Sequence, residues 1–184
     1  MNGFASGLDP VLDALFRIGL CAIFLGACIH KARDLDKFSA TLGDYRLLPR
    51  HLSGVATRAL ATSEAIVALA LLMPPLDPLG PLGSLGLFAL YSAAIGINLA
   101  RGRRHIDCGC TGFGQVPQTI SGMLLVRNAG LAMLALALLA PAAARPLAWL
   151  DFISIAGGLI LGALVWLAAH ELGRTPPPIP EEAP

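Results

Sequence analysis

Long apolar runs separated by short polar segments set the pattern of this chain. Five runs are long enough to cross a hydrocarbon core that takes about 20 residues: Val11–Ile29, Val55–Met73, Leu82–Ala100, Ser121–Ala140 and Leu147–Ala169. Continuous apolar runs of this length cannot be strands of an ordinary sheet, so the pattern predicts an all-α, polytopic membrane helix bundle. Prolines punctuate the gaps, at Pro74-Pro75, Pro78 and Pro81 and again at Pro141 and Pro146. Between the first two runs lies His30–Ser53, where Leu35, Phe38, Leu42 and Tyr45 recur at helical spacing among Lys31, Arg33, Asp34, Asp36 and Lys37. That segment reads as a short amphipathic helix on the membrane surface.

Composition agrees. Hydrophobic residues make up 55% of the 184 positions, charged residues only 14%, and mean hydropathy is +0.70. A soluble domain carries about 25% charged residues, and a net charge of +1 disfavours binding nucleic acid through bulk basicity. The expected organisation is a single transmembrane domain over 1–173 and a disordered, proline-rich tail over 174–184. The first span is no cleavable signal peptide on this reading, because Asp9 and Asp13 stand where basic residues should, and no small-residue cleavage site follows. Leu25-Gly26-Ala27-Cys28 resembles a lipobox, but an uncleaved anchor is the better reading.

Charge also suggests an orientation. With five spans, the segments 30–54 and 101–120 and the tail share one side. They carry nine basic residues: Lys31, Arg33, Lys37, Arg46, Arg50, Arg101, Arg103, Arg104 and Arg174. The other side carries Arg145 alone. The positive-inside rule then puts the N-terminus outside and the tail in the cytoplasm, in a multi-pass inner-membrane protein.

The sharpest chemical feature is Asp107-Cys108-Gly109-Cys110-Thr111-Gly112-Phe113-Gly114. Two cysteines one residue apart can close a small, strained and easily reduced disulfide. Arg101, Arg103 and Arg104 upstream and Arg127 downstream favour thiolate. A metal reading adds His105, but His-x2-Cys-x-Cys is not a standard zinc spacing and no fourth ligand is evident. Cys21 and Cys28 are seven residues apart on one helix, hence about 10.5 Å along its axis, out of disulfide range. Cys21 reads as a small apolar residue. Cys28 falls at the same end as Cys108 and Cys110 and could resolve a mixed disulfide.

Glu64 lies near the midplane of the second span, where a lone carboxylate is costly. Arg17 in the first span is its expected partner, with Asp13 four residues earlier competing for the same guanidinium. An ion pair that fixes packing and a proton-transfer role both fit. Arg127-Asn128 could line a cavity under the cysteine loop. His30, His51 and His170 sit at helix ends, where interfacial roles are the default.

Taken together, Arg17, Phe24-Leu25-Gly26, Lys31, Glu64, Asn98-Leu99, Arg101-Gly102-Arg103, Asp107-Cys108-Gly109-Cys110 and Arg127-Asn128 resemble the MauE methylamine-utilisation family. The likeness covers about residues 10–140. That family is related to the DoxX-like bundle, so the resemblance implies a four-helix core within the five spans. It also implies a maturation factor for the disulfide-rich, periplasmic methylamine dehydrogenase small subunit, working beside a thioredoxin-like MauD-type partner. Cys108 and Cys110 would then be the exchanging pair, with Cys28 as a relay. The client folds outside whereas the charge count puts the cysteine loop inside. Either electrons cross the membrane, through Cys28, or the charge-based orientation is inverted.

Two other classes compete. One is a DoxX-type membrane subunit or anchor of a respiratory oxidoreductase, with quinone near Arg17 and Glu64. The other is a small-solute carrier using Glu64, which five unrepeated spans argue against.

Overall fold

The computed structural model describes residues 7–103, 120–143 and 145–172. Six α-helices follow in order: α1 (Pro10–Arg33), α2 (Leu35–Asp44), α3 (Ser53–Leu72), α4 (Leu79–Ala100), α5 (Gly122–Ala137) and α6 (Trp149–Leu172). No strand occurs among the described residues. The all-α bundle read from the sequence is therefore correct. Four helices, α1, α3, α4 and α6, have the length and hydropathy to cross a membrane. The fourth expected span, Ser121–Ala140, is shorter than anticipated: α5 has 16 residues, about 24 Å of helix against a core of about 30 Å.

Local chemistry explains where α1 begins and ends. The Asp9 carboxylate accepts from the Val11 backbone N–H at 2.8 Å and Pro10 occupies the first helical position, both favourable at an N-terminus. His30, Lys31 and Arg33 lie in the last turn, facing the negative end of the helix dipole. α1 thus runs one turn beyond the expected Val11–Ile29 span. That extra turn carries Lys31 into the bundle.

The helices alternate in direction. Arg17, near the start of α1, approaches the Leu71 carbonyl near the end of α3 at 3.5 Å, so α1 and α3 are antiparallel. Gly80 and Gly83 of α4 face Leu71 and Val67 of α3, and an added Cβ would come within 2.8 Å of the Leu71 nitrogen and 2.6 Å of Val67 Cγ2. Only glycine allows helices to approach this closely, a device that suits membrane bundles, where burial from water contributes little between helices. α5 returns beside α4. α6 runs parallel to α1, with Gly158 against Leu15. One end of the bundle therefore gathers the C-terminal ends of α1, α4 and α6 and the N-terminal ends of α3 and α5.

The core joins α1, α3, α4 and α5 through Leu20, Phe24, Val67, Leu71, Leu87, Phe88, Ala135 and Leu138. The Phe24 and Phe88 rings lie 5.1 Å apart at 35°. Outward positions remain apolar: Val55, Ile66, Met133, Ile160 and Leu161 are all about 60% exposed, a surface that only lipid tolerates.

The amphipathic helix exists as α2, but its apolar side is not free to lie on lipid. It packs on α3, with Leu35, Phe38 and Leu42 half-buried and Ser39 Oγ 2.9 Å from Ser53 Oγ. Tyr45, the next residue after α2, is buried with Ile95, Ile120 and Leu124.

Candidate functional site

A charged centre occupies the interior where α1, α3 and α4 meet. Lys31 Nζ donates to both oxygens of Glu64, at 2.7 Å to Oε1 and 2.9 Å to Oε2. The Tyr91 hydroxyl donates to Glu64 Oε1 at 2.6 Å. Glu64 is 0% and Lys31 2% exposed. Phe38 of α2 roofs the ammonium at 4.9 Å from its ring centroid, and the Tyr91 ring flanks it at 5.7 Å, both cation–π distances. Two charges in so apolar a setting are tolerable only because each saturates the other.

The expected Glu64–Arg17 pair does not form. Arg17 Nε donates to Asp13 at 2.8 Å and Nη2 to Asp77 at 2.8 Å. The reason is vertical position. Arg17 sits near the start of α1, beside the α3–α4 connection that carries Asp77, whereas Glu64 lies seven residues back along α3 from Leu71. Lys31 comes from the opposite end of α1 and reaches inward with a four-carbon stem. The local competitor Asp13 is a real partner, but Asp77 was not foreseen.

A second cluster ties the Arg17 end together. Arg145 bonds Asp9 at 3.2 Å and Asp151 at 2.7 Å, and Leu8 pairs with the 141–143 segment through Leu8 N to Pro141 O at 2.9 Å and Ala143 N to Leu8 O at 2.8 Å. The Arg145 guanidinium holds the Asp9 carboxyl below its usual range, helped by the Val11 N–H.

At the opposite, basic end, α4 finishes with Arg101, Gly102 and Arg103. Gly102 adopts φ +73°, a left-handed turn that glycine takes without steric cost. Asn98 is fully buried, and its Nδ2 donates to the Ala94 carbonyl at 3.0 Å. Asn128 is buried on α5, with Nδ2 3.5 Å from Ser92 Oγ. The Arg127 guanidinium lies over the Trp166 ring of α6 at 5.0 Å, with its Nε buried and unpartnered. Cys21 is a buried core residue, and Cys28 is a half-buried free thiol. Cys108, Cys110 and His105 lie outside the described residues, as do the tail over 174–184 and the side chain of His170. Among the described residues no cluster of three or more metal-ligating side chains occurs.

The match to known proteins now has a structural frame. The family model for the methylamine utilisation protein MauE matches residues 9–141, which includes Lys31, Glu64, Tyr91, Asn98 and the cysteine segment. The chain belongs to the MauE family. It is 35% identical over 169 residues to the methylamine utilization protein MauE of Paracoccus denitrificans, a span of 90% of this chain and 89% of that one. For MauE of Paracoccus versutus the figures are 38% over 180 residues, 95% and 94%. For MauE of Methylorubrum extorquens they are 39% over 150 residues, 82% and 75%. No solved structure matches.

Sequence reasoning counted Lys31 among the basic residues of one side and among those that carry the family likeness, but gave it no part in the site. A signal was present. Leu20, Phe24 and Lys31 fall at i, i+4 and i+11 and share one face once the helix is extended by a turn. Tyr91 carried no comparable signal, because a lone tyrosine in an apolar span has no partner until helices are packed.

Proposed function

We propose that this MauE-family protein is an inner-membrane maturation factor that supports thiol–disulfide exchange through Cys108 and Cys110. The observation that carries the reading is the chain path. Arg103 and Ile120, which bracket the Cys-Gly-Cys segment, are both at the basic end of the bundle, where Cys28 is a half-buried free thiol. Arg101 and Arg103 on one flank and Arg127 on the other supply the positive charge that favours thiolate.

In the reducing direction a Cys108 thiolate attacks a client disulfide and forms a mixed disulfide. Cys110 or Cys28 then displaces the client sulfur. The client leaves as a dithiol and the resolving pair is oxidised by two electrons, which a thioredoxin-like, MauD-type partner returns from its own dithiol. The oxidising direction is the same sequence reversed. The client class is a disulfide-rich exported protein such as the methylamine dehydrogenase small subunit. Direct attack on an exported client requires the basic end to face outside; on the positive-inside count that end is cytoplasmic, and electrons then have to cross, by way of Cys28, to a thiol partner on the far side. A quinone site built jointly by Arg17 and Glu64 is disfavoured, because those residues belong to separate clusters.

Cys108→Ser and Cys110→Ser should each abolish client maturation while the protein still inserts, and Cys21→Ala should be nearly silent. Alkylation trapping should find the pair in both oxidised and reduced forms in growing cells. Full maturation with the double serine variant would end the exchange reading. A membrane-impermeant maleimide added to intact, reduced spheroplasts should leave the pair unmodified. Ready labelling from outside would invert the orientation and remove the electron-crossing step.

A further inference from the structure

The interior of this bundle carries polar atoms that its own packing leaves unused, and three of them lie on or beside α3 and α4. Thr57 on α3 is 1% exposed and Asn98 on α4 is 0% exposed, yet Thr57 Oγ1 and Asn98 Oδ1 have no hydrogen-bond partner. Arg103 Nη1, beside the end of α4, is likewise buried and unpartnered. Leaving a buried polar atom without a partner is unfavourable; Arg127 Nε on α5 and Asp13 Oδ1 on α1 are the other two such atoms among the described residues, and the three on or beside α3 and α4 call for an explanation.

Helical register supplies the geometry. Thr57 precedes Glu64 by seven residues and Asn98 follows Tyr91 by seven, so each lies on the same face as its partner and about 10.5 Å along the axis. Because α3 and α4 are antiparallel, both displacements point toward the basic end. Glu64 and Tyr91 are themselves hydrogen-bonded at 2.6 Å, which places Thr57 and Asn98 at one level, between the charged centre and the mouth at Arg103. The Arg103 backbone N–H bonds the Asn98 carbonyl at 3.0 Å, so Arg103 follows Asn98 within one turn at that end.

We infer that Arg103, Asn98 and Thr57 line a hydrated hydrogen-bonded path that exchanges protons between the cysteine-bearing end and the buried Lys31–Glu64–Tyr91 centre. A hydroxyl and an amide oxygen buried without protein partners are the groups that hold internal water, and the Thr57 hydroxyl can both accept and donate. The centre suits proton exchange because Lys31 Nζ bridges both Glu64 oxygens and Tyr91 extends the network along α4. Phe38 of α2 covers the Lys31 ammonium, whereas the unpartnered Thr57 and Asn98 atoms lie on α3 and α4. Thiol–disulfide exchange needs a proton removed from each attacking thiol and returned to each leaving thiolate, so a proton path opening at that end serves the chemistry proposed above. That use rests on the proposed function, whereas the path itself does not.

The chain has two lysines, Lys31 and Lys37, so labelling lysine with nitrogen-15 gives a direct readout. Full-length protein in lipid nanodiscs should show Lys31 ammonium protons exchanging with water at a rate approaching that of the exposed Lys37 ammonium. Thr57→Val and Asn98→Leu, singly and together, should slow that exchange, the double variant by roughly ten-fold, with Lys37 unchanged as the internal control. Lys31 protons that stay protected while those of Lys37 exchange, in the unmodified protein, would overturn the path without any variant. Unchanged Lys31 exchange in a folded double variant would overturn the assignment to these residues. The measurement involves no cysteine turnover, so loss of the exchange reading through the double serine variant would leave this result standing.

Discussion

The two ends of α1 carry ion pairs that differ in setting and, for that reason, in worth. At the far end Lys31–Glu64 has side-chain exposures of 2% and 1%, three hydrogen bonds and an aromatic roof. At the near end Arg17 is 16% exposed, and its partners Asp13 and Asp77 are 18% and 41% exposed; Arg145 and Asp9 beyond them are above 40%. The same residue chemistry thus does two jobs. A buried pair is obligatory, because loss of one member strands the other in an apolar interior. An exposed pair is optional, because water replaces the missing partner.

The largest effect should come from splitting the buried pair. Glu64→Gln should cost about 3–5 kcal/mol of stability, read as the midpoint of denaturant titration on the purified protein. Adding Lys31→Met should recover much of that loss, since a well-packed apolar side chain then replaces a stranded ammonium. Simple additivity of the two losses would show that the pair is not coupled, and the contrast between the ends would fall. Tyr91→Phe removes one hydrogen bond to a charged acceptor and should cost about 1.5–3 kcal/mol.

A smaller effect is expected at Arg17. Arg17→Gln should cost about 1 kcal/mol or less, and Asp77→Asn should cost less than Asp13→Asn because Asp77 is the more exposed partner. A loss as large as that of Glu64→Gln would erase the distinction. High salt should weaken the Arg17 pairs and leave Lys31–Glu64 nearly untouched, because screening acts on exposed charges.

The smallest effect concerns pH. Asp9 is held below its usual value of 3.8 by Arg145 and the Val11 N–H, so it binds a proton less readily folded than unfolded. Its contribution is present in full well above pH 3.8 and is lost as pH falls through the lower folded value. The melting midpoint should therefore decline at acid pH, and Arg145→Gln should remove part of that decline. An identical acid slope in the variant would show that the Asp9–Arg145 clamp carries no stability.

Some of this was legible in the sequence. Apolar runs gave the helices, their order and the alternating path, because helix formation in lipid is decided segment by segment. Cys21 was read as a core residue from its place inside an apolar run. The solitary glutamate in the second span announced a buried charge and a need for a cation.

Which cation it found was a tertiary decision. Arg17 and Lys31 are both on α1, and nothing in their local sequence ranks them as partners for Glu64. The ranking came from how far α3 slides along α1, which is set by Gly80 and Gly83 seating α4 against Leu71 and Val67, and by Phe24 meeting Phe88. The same packing trimmed α5, drew α2 onto α3 and brought Thr57 and Asn98 to one level. By itself the sequence determined which segments enter the membrane and which must bury charge, since those follow from local hydropathy. Only the packed bundle decided who meets whom, because register between helices is a property of interlocking surfaces rather than of any one strand of chain.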